Sequence, residues 1–186
     1  STPRYEQATR FFLRDLYGPG DYSRRDAQFA RVVPALSKLF PAEVIATVAK
    51  LARLHAISEQ LDTRMAQLLD SERITAASYI EAWQRCGEAA ERQLQIDLTL
   101  AVGESLEQLT GKPLLRQALR MMRGPATAAG MSELQVFLET GFDTFRAMRG
   151  ATEFLRTVRS REEALAAALF APGACPTGDE ALGQLP

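Results

Sequence analysis

The stretch 41-PAEVIATVAKLARLHAISEQLDTRMAQLL-69 decides the fold. It runs for about eight helical turns without a glycine or an internal proline, and Pro41 suits a first helical position, where its missing N–H costs nothing. At about 100° per residue, Val44, Val48, Leu51, Leu54, Ile57, Leu61, Met65, Leu68 and Leu69 cover one broad side. Arg53, Gln60, Arg64 and Gln67 fall opposite. A periodicity of this length predicts one long amphipathic helix over 41–69.

Segments on either side repeat the period. Upstream, Phe12/Leu16 and Leu13/Tyr17 are paired at i,i+4 in a helix that stops at Tyr17-Gly18-Pro19-Gly20-Asp21. Asp21 or Ser23 caps the next helix, which Pro34 kinks or ends. Downstream, a helix begins near Thr75 with Tyr79, Trp83 and Cys86 on one side, bends at Gly87 and resumes to Leu109. Gly111-Lys112-Pro113 opens a short helix, and Gly124-Pro125 breaks the chain again. Leu134, Phe137, Leu138, Gly141, Phe145, Met148 and Leu155 form a single stripe, which predicts a second long helix over 132–159. Ser132 with Gln135, and Ser160 with Glu163, are spaced as capping boxes. No segment alternates at period 2 between turn signals, so no strand is expected.

The expected architecture is all-α: one bundle of about six or seven helices over 1–171, with a flexible Pro/Gly-rich tail over 172–186. A chain of 186 residues buries enough surface to fold without staples. The two cysteines, Cys86 and Cys175, lie far apart and make no disulfide framework. No apolar run is long enough for a membrane span. The segment STPRYEQATR lacks the apolar middle of a signal peptide, so the expected location is the cytoplasm. Net charge is −1, which leaves no overall attraction to nucleic acid or to an anionic membrane. Arginine far outnumbers lysine, 19 to 3, as a GC-rich genome would produce.

Chemistry-bearing residues are few. His55, the sole histidine, shares a face with Glu59 and Asp62 at i, i+4 and i+7, and Ser58 lies nearby. Three readings stay open for this face. It fixes packing, with His55 bonded to a neighbour such as Asp62 or an Arg of another helix; it holds a metal with His55, Glu59 and, as a third ligand, Asp62; or His55 is a lone axial haem ligand or a general acid/base. Against the metal, a dinuclear carboxylate bundle wants Glu-x-x-His motifs, and the chain has none. No cofactor is therefore expected.

Arg116, Arg120 and Arg123 make a basic stripe that either holds a phosphate or an acidic partner, or favours the C-terminal end of a short helix and pairs with acids elsewhere. Arg146, Arg149 and Arg156 surround Glu153 and suggest an ion-pair ladder. Glu88, Glu91, Arg92 and Gln95 read as a solvated polar face. Gly141 interrupts a stripe of Leu and Phe, which points to close approach of another helix or to a ligand cavity. Nucleophile-elbow, Walker, dinucleotide-binding and zinc-protease motifs are all missing. Cys86 lies beside Trp83 on an apolar face and reads as core.

FFLRDLYGPGDYSRRD (Phe11 to Asp26), LARLHAISEQLD (Leu51 to Asp62) and GFDTFRAMRGATEFLRTVRSRE (Gly141 to Glu162) resemble an uncharacterised bacterial family of helical proteins, a domain of unknown function. The resemblance implies a self-contained bacterial domain and transfers no site residue. Three function classes follow. The leading one is a non-enzymatic helical domain that binds a protein partner or forms a homo-oligomer. The others are a metal- or haem-dependent protein or enzyme working at His55, and a small-ligand sensor with an apolar cavity near Gly141, Phe137 and Phe145.

Overall fold

A computed structural model describes residues 3–11, 14, 27–28, 41–69, 74–175 and 180–185. The architecture is all-α, with no strand among the described residues. The α-helices are α1 (Glu6–Phe11), α2 (Ala42–Leu68), α3 (Ala76–Cys86), α4 (Ala89–Thr110), α5 (Pro113–Met121), α6 (Arg123–Ala128), α7 (Ser132–Ala147) and α8 (Thr152–Phe170). The Tyr17–Asp21 turn, the Asp21/Ser23 cap and the Pro34 kink lie outside the described residues.

The decisive stretch is one helix, α2, starting just after Pro41. Thr47, Leu54, Leu61 and Met65 are its buried residues, a narrower stripe than the wheel allows, while Arg53, Gln60 and Gln67 are exposed. Thr75 caps α3 by a reciprocal capping box with Ser78, and Gly87 ends it at φ +67, a conformation glycine adopts without strain.

Ser160 and Glu163 lie inside α8 and start no helix, and three further boundaries differ from expectation. The stripe over 132–159 is two helices, because Arg149 (φ +50) and Gly150 (φ +122) turn the chain between α7 and α8. A left-handed non-glycine residue costs about 1 kcal/mol or more, so its surroundings must hold it there. Glu107 Oε1 accepts from the Ala151 N–H at 2.6 Å, and Arg4 donates to the Gly150 carbonyl at 2.8 Å. Secondly, Gly124-Pro125 does not break a helix: Pro125 lies in the first turn of α6, where its N–H would have no helical partner. Thirdly, Ser132 and Gln135 form no capping box, since α7 has no side-chain cap and Gln135 donates to the Leu119 carbonyl instead.

The described residues group into two compact units. One comprises 1–48 with 103–154, the other 49–102 with 155–186. In the first, α1 packs on α7: the Phe11 and Phe137 rings stack at 5.5 Å, and a Cβ on Gly141 would lie 3.1 Å from Phe11 Cζ. Gly141 thus admits a neighbouring helix, the first of its two expected roles. Tyr5 adds a ring contact to Phe154 at 5.7 Å and a hydrogen bond to Glu153.

In the second unit Ile80, Leu169 and Leu182 form a buried cluster, flanked by Tyr79, Trp83, Leu165 and Leu185. Leu182 is 1% exposed, which corrects the expected loose tail at this position. Burying a leucine stabilises by about 1.5–3 kcal/mol, enough to hold a short 3₁₀ turn (Leu182–Gln184) against the helices.

Candidate functional site

The arginine stripe of α5 and α6 belongs to the first unit. Arg116 forks Asp143 through Nε (2.7 Å) and Nη2 (2.9 Å), and Arg123 forks Glu139 in the same way, its Nε at 2.7 Å. Planar bidentate pairs of this kind fix the register of one helix against another. Arg123 holds the Glu139 carboxyl down to about 2, against the opposing effect of burial and with help from Gln135. Asp143 is likewise lowered, chiefly by its hydrogen bonds to Arg116. Two of the three expected anion contacts are therefore engaged by acids of α7, the pairing that the sequence left as the other reading. Arg120 is exposed between them.

The same seam leaves an apolar face uncovered. No residue of α5 is buried. Leu114 and Met121, seven residues apart and hence on one face, are 79% and 72% exposed, and Val136 on the adjoining α7 is 64% exposed. Scattered exposed apolar residues need no explanation, but two large ones aligned on an anchored helix are unusual. Lys112 pairs with Glu43 just before α5 begins. The helix is thus tied by Lys112 just before its start, by Arg116 in its middle and by the Gln135 bond to Leu119 near its end, while its apolar ridge faces solvent. Sequence reasoning noted the arginines of α5 and passed over this ridge, although the Leu114/Met121 spacing carries the signal.

In the second unit, His55, Glu59 and Asp62 do share a face of α2, and all three are exposed. Among the described residues no group of three or more metal-donor side chains comes together. Ser58, half-buried on the same helix, accepts from Gln95 Nε2 at 2.8 Å. Partial desolvation raises the Asp62 carboxyl, with Arg92 opposing the rise and Glu59 adding to it.

Arg92 is the largest departure from the expected solvated face. It is 6% exposed, and its guanidinium lies 4.0 Å from the centre of the Trp83 ring. A stacked guanidinium gains from the ring's negative face, and its aliphatic stem can be buried at little cost. Arg92 donates from Nη1 to Gln95 at 3.4 Å, whereas its Nε and Nη2 are buried without a partner. The clue in the sequence was the spacing of Trp83 and Arg92 across the Gly87 break, which wheels drawn separately for α3 and α4 do not join. Burial also raises the Tyr79 hydroxyl, against the influence of Arg92.

The expected ladder around Glu153 is not formed. Glu153 accepts from the Tyr5 hydroxyl at 3.1 Å, and Arg146, Arg149 and Arg156 make no ion pair among the described residues. Cys86 is half-buried and Cys175 exposed, both as free thiols. No helix of the described residues is long and apolar enough to cross a membrane.

The sequence model of one family, described as a domain of unknown function (DUF8198), matches residues 1–176. No curated protein and no solved structure matches the chain. With nearly its whole length covered, the chain belongs to this family.

Proposed function

We propose that this member of the DUF8198 family is a non-enzymatic helical domain that self-associates through the apolar ridge of α5. One observation carries the reading: Leu114 and Met121 are 79% and 72% exposed on a helix anchored to α7 by the Arg116–Asp143 fork and by the bond from Gln135 to the Leu119 carbonyl. An anchored helix is already ordered, so little conformational entropy is lost when it docks.

A second copy is the occupant that fits most simply. Two antiparallel copies of α5 related by a two-fold axis place Leu114 of each against Met121 of the other, so one surface is complementary to itself. Static light scattering over a range of protein concentrations tests the reading. The expected result is a mass that rises toward twice 20.5 kDa as concentration increases. A constant monomer mass up to the solubility limit would overturn self-association and leave α5 without this role.

A further inference from the structure

A cleft of about 440 Å³ opens in the first unit between the end of α4, the start of α5 and the turn after α7. Glu107, Thr110, Pro113, Arg146, Arg149 and Gly150 are among the residues that line it. This volume suits a small organic molecule. Neither Arg146 nor Arg149 makes an ion pair among the described residues, although Arg116 and Arg123 of the same unit each fork an acid.

The backbone supplies an independent observation. Arg149 sits just past the end of α7 at φ +50, a position where helices usually place glycine because a Cβ is strained there. The turn is nevertheless held from two sides, by Glu107 on the Ala151 N–H and by Arg4 on the Gly150 carbonyl. Strain kept in place by its surroundings, on a residue lining a cleft, is a reason to look for function. The acid in the cleft, Glu107, has one carboxylate oxygen committed to that turn.

We infer that this cleft binds a small organic oxyanion, a phosphate ester or a di- or tricarboxylate, held by the guanidinium groups of Arg146 and Arg149. Guanidinium forks match both kinds of oxyanion. Pro113 offers an apolar surface to the body of the molecule. The inference is independent of self-association through Leu114 and Met121.

The test measures thermal unfolding of the full chain with pyrophosphate or citrate, using sodium chloride at matched ionic strength as control. At least one of the two should raise Tm saturably, and which one does so separates the phosphate source from the carboxylate source. Arg149→Gly should raise Tm without any anion, because the strain is relieved, and should weaken the anion at least tenfold. Arg146→Lys keeps the charge, loses the fork, and should weaken it several-fold. The inference is overturned if neither anion exceeds the salt control. It is equally overturned if the anion effect survives intact in Arg149→Gly, or if that variant lowers Tm, which would make Arg149 a structural cap.

Discussion

The two units treat their apolar faces in opposite ways. In the second, even the end of the described chain contributes: Leu182 and Leu185 join Ile80, Leu169, Tyr79 and Trp83, so the face of α3 is covered. In the first, α5 is held by Arg116–Asp143, and α6 directly after it by Arg123–Glu139, yet Leu114 and Met121 stay in solvent. Looseness does not explain the contrast, since the first unit packs α1 on α7 so closely that a Cβ on Gly141 would lie 3.1 Å from the Phe11 ring. Anchoring and covering are thus separate properties of a helix. Polar forks alone can position a face that remains available to another surface.

The largest expected effect breaks the covered side of this comparison. Leu182→Ala should cost about 2–4 kcal/mol in denaturant unfolding, because the side chain is 1% exposed within an apolar cluster. A loss below about 0.5 kcal/mol would mean that the chain end does not cover α3 in solution. Next, Gly141→Ala sets a methyl 3.1 Å from the Phe11 ring against the helix propensity of about 1 kcal/mol that alanine brings, and should cost up to about 2 kcal/mol net. A gain of the full propensity of about 1 kcal/mol would show that the Phe11 ring does not press on α7, and looseness would then explain the bare face.

Thr144→Val should work in the other direction. Thr144 is 1% exposed and its hydroxyl has no hydrogen-bond partner among the described residues, so an apolar replacement of the same shape should stabilise by about 1 kcal/mol. A loss of stability would reveal that this interior needs the hydroxyl.

The anchoring of α5 is open to a pH test. The Glu139 carboxyl is lowered from 4.5 to about 2 in the folded chain. Its contribution is therefore fully present above about pH 4.5 and disappears as pH falls toward 2. Glu139→Gln should cost no more than about 1 kcal/mol at neutral pH, because Arg123 is largely solvated, and should flatten that part of the acid limb. The smallest effect belongs to the uncovered ridge: Leu114→Ala should change monomer stability by less than about 0.5 kcal/mol.

How much of this was legible in sequence follows from what each signal depends on. Uninterrupted periodicity made α2 readable from Pro41 to its last turn, and Gly141 announced a close helix. Local rules failed where tertiary contacts decide. Arg149 is no helix breaker by propensity, and its turn exists because Glu107 and Arg4 hold Ala151 and Gly150. The last residues looked like tail because their composition is loose, but a single leucine can dock. Arg92 looked solvated because charge usually means exposure, and a stack on Trp83 across a helix break has no periodic signature. For the candidate site, the arginines of α5 were visible while their partners on α7 were not. Sequence spacing does not say which of two polar faces will meet.

The most direct test of the central claim is the mass of Leu114→Glu/Met121→Glu beside that of the unaltered chain, with thermal unfolding recorded on the same samples. The account predicts that the unaltered chain associates with rising concentration and that the double variant stays monomeric, with Tm unchanged when both are compared as monomers. An equal degree of association in the two proteins would contradict it, as would a double variant that no longer folds.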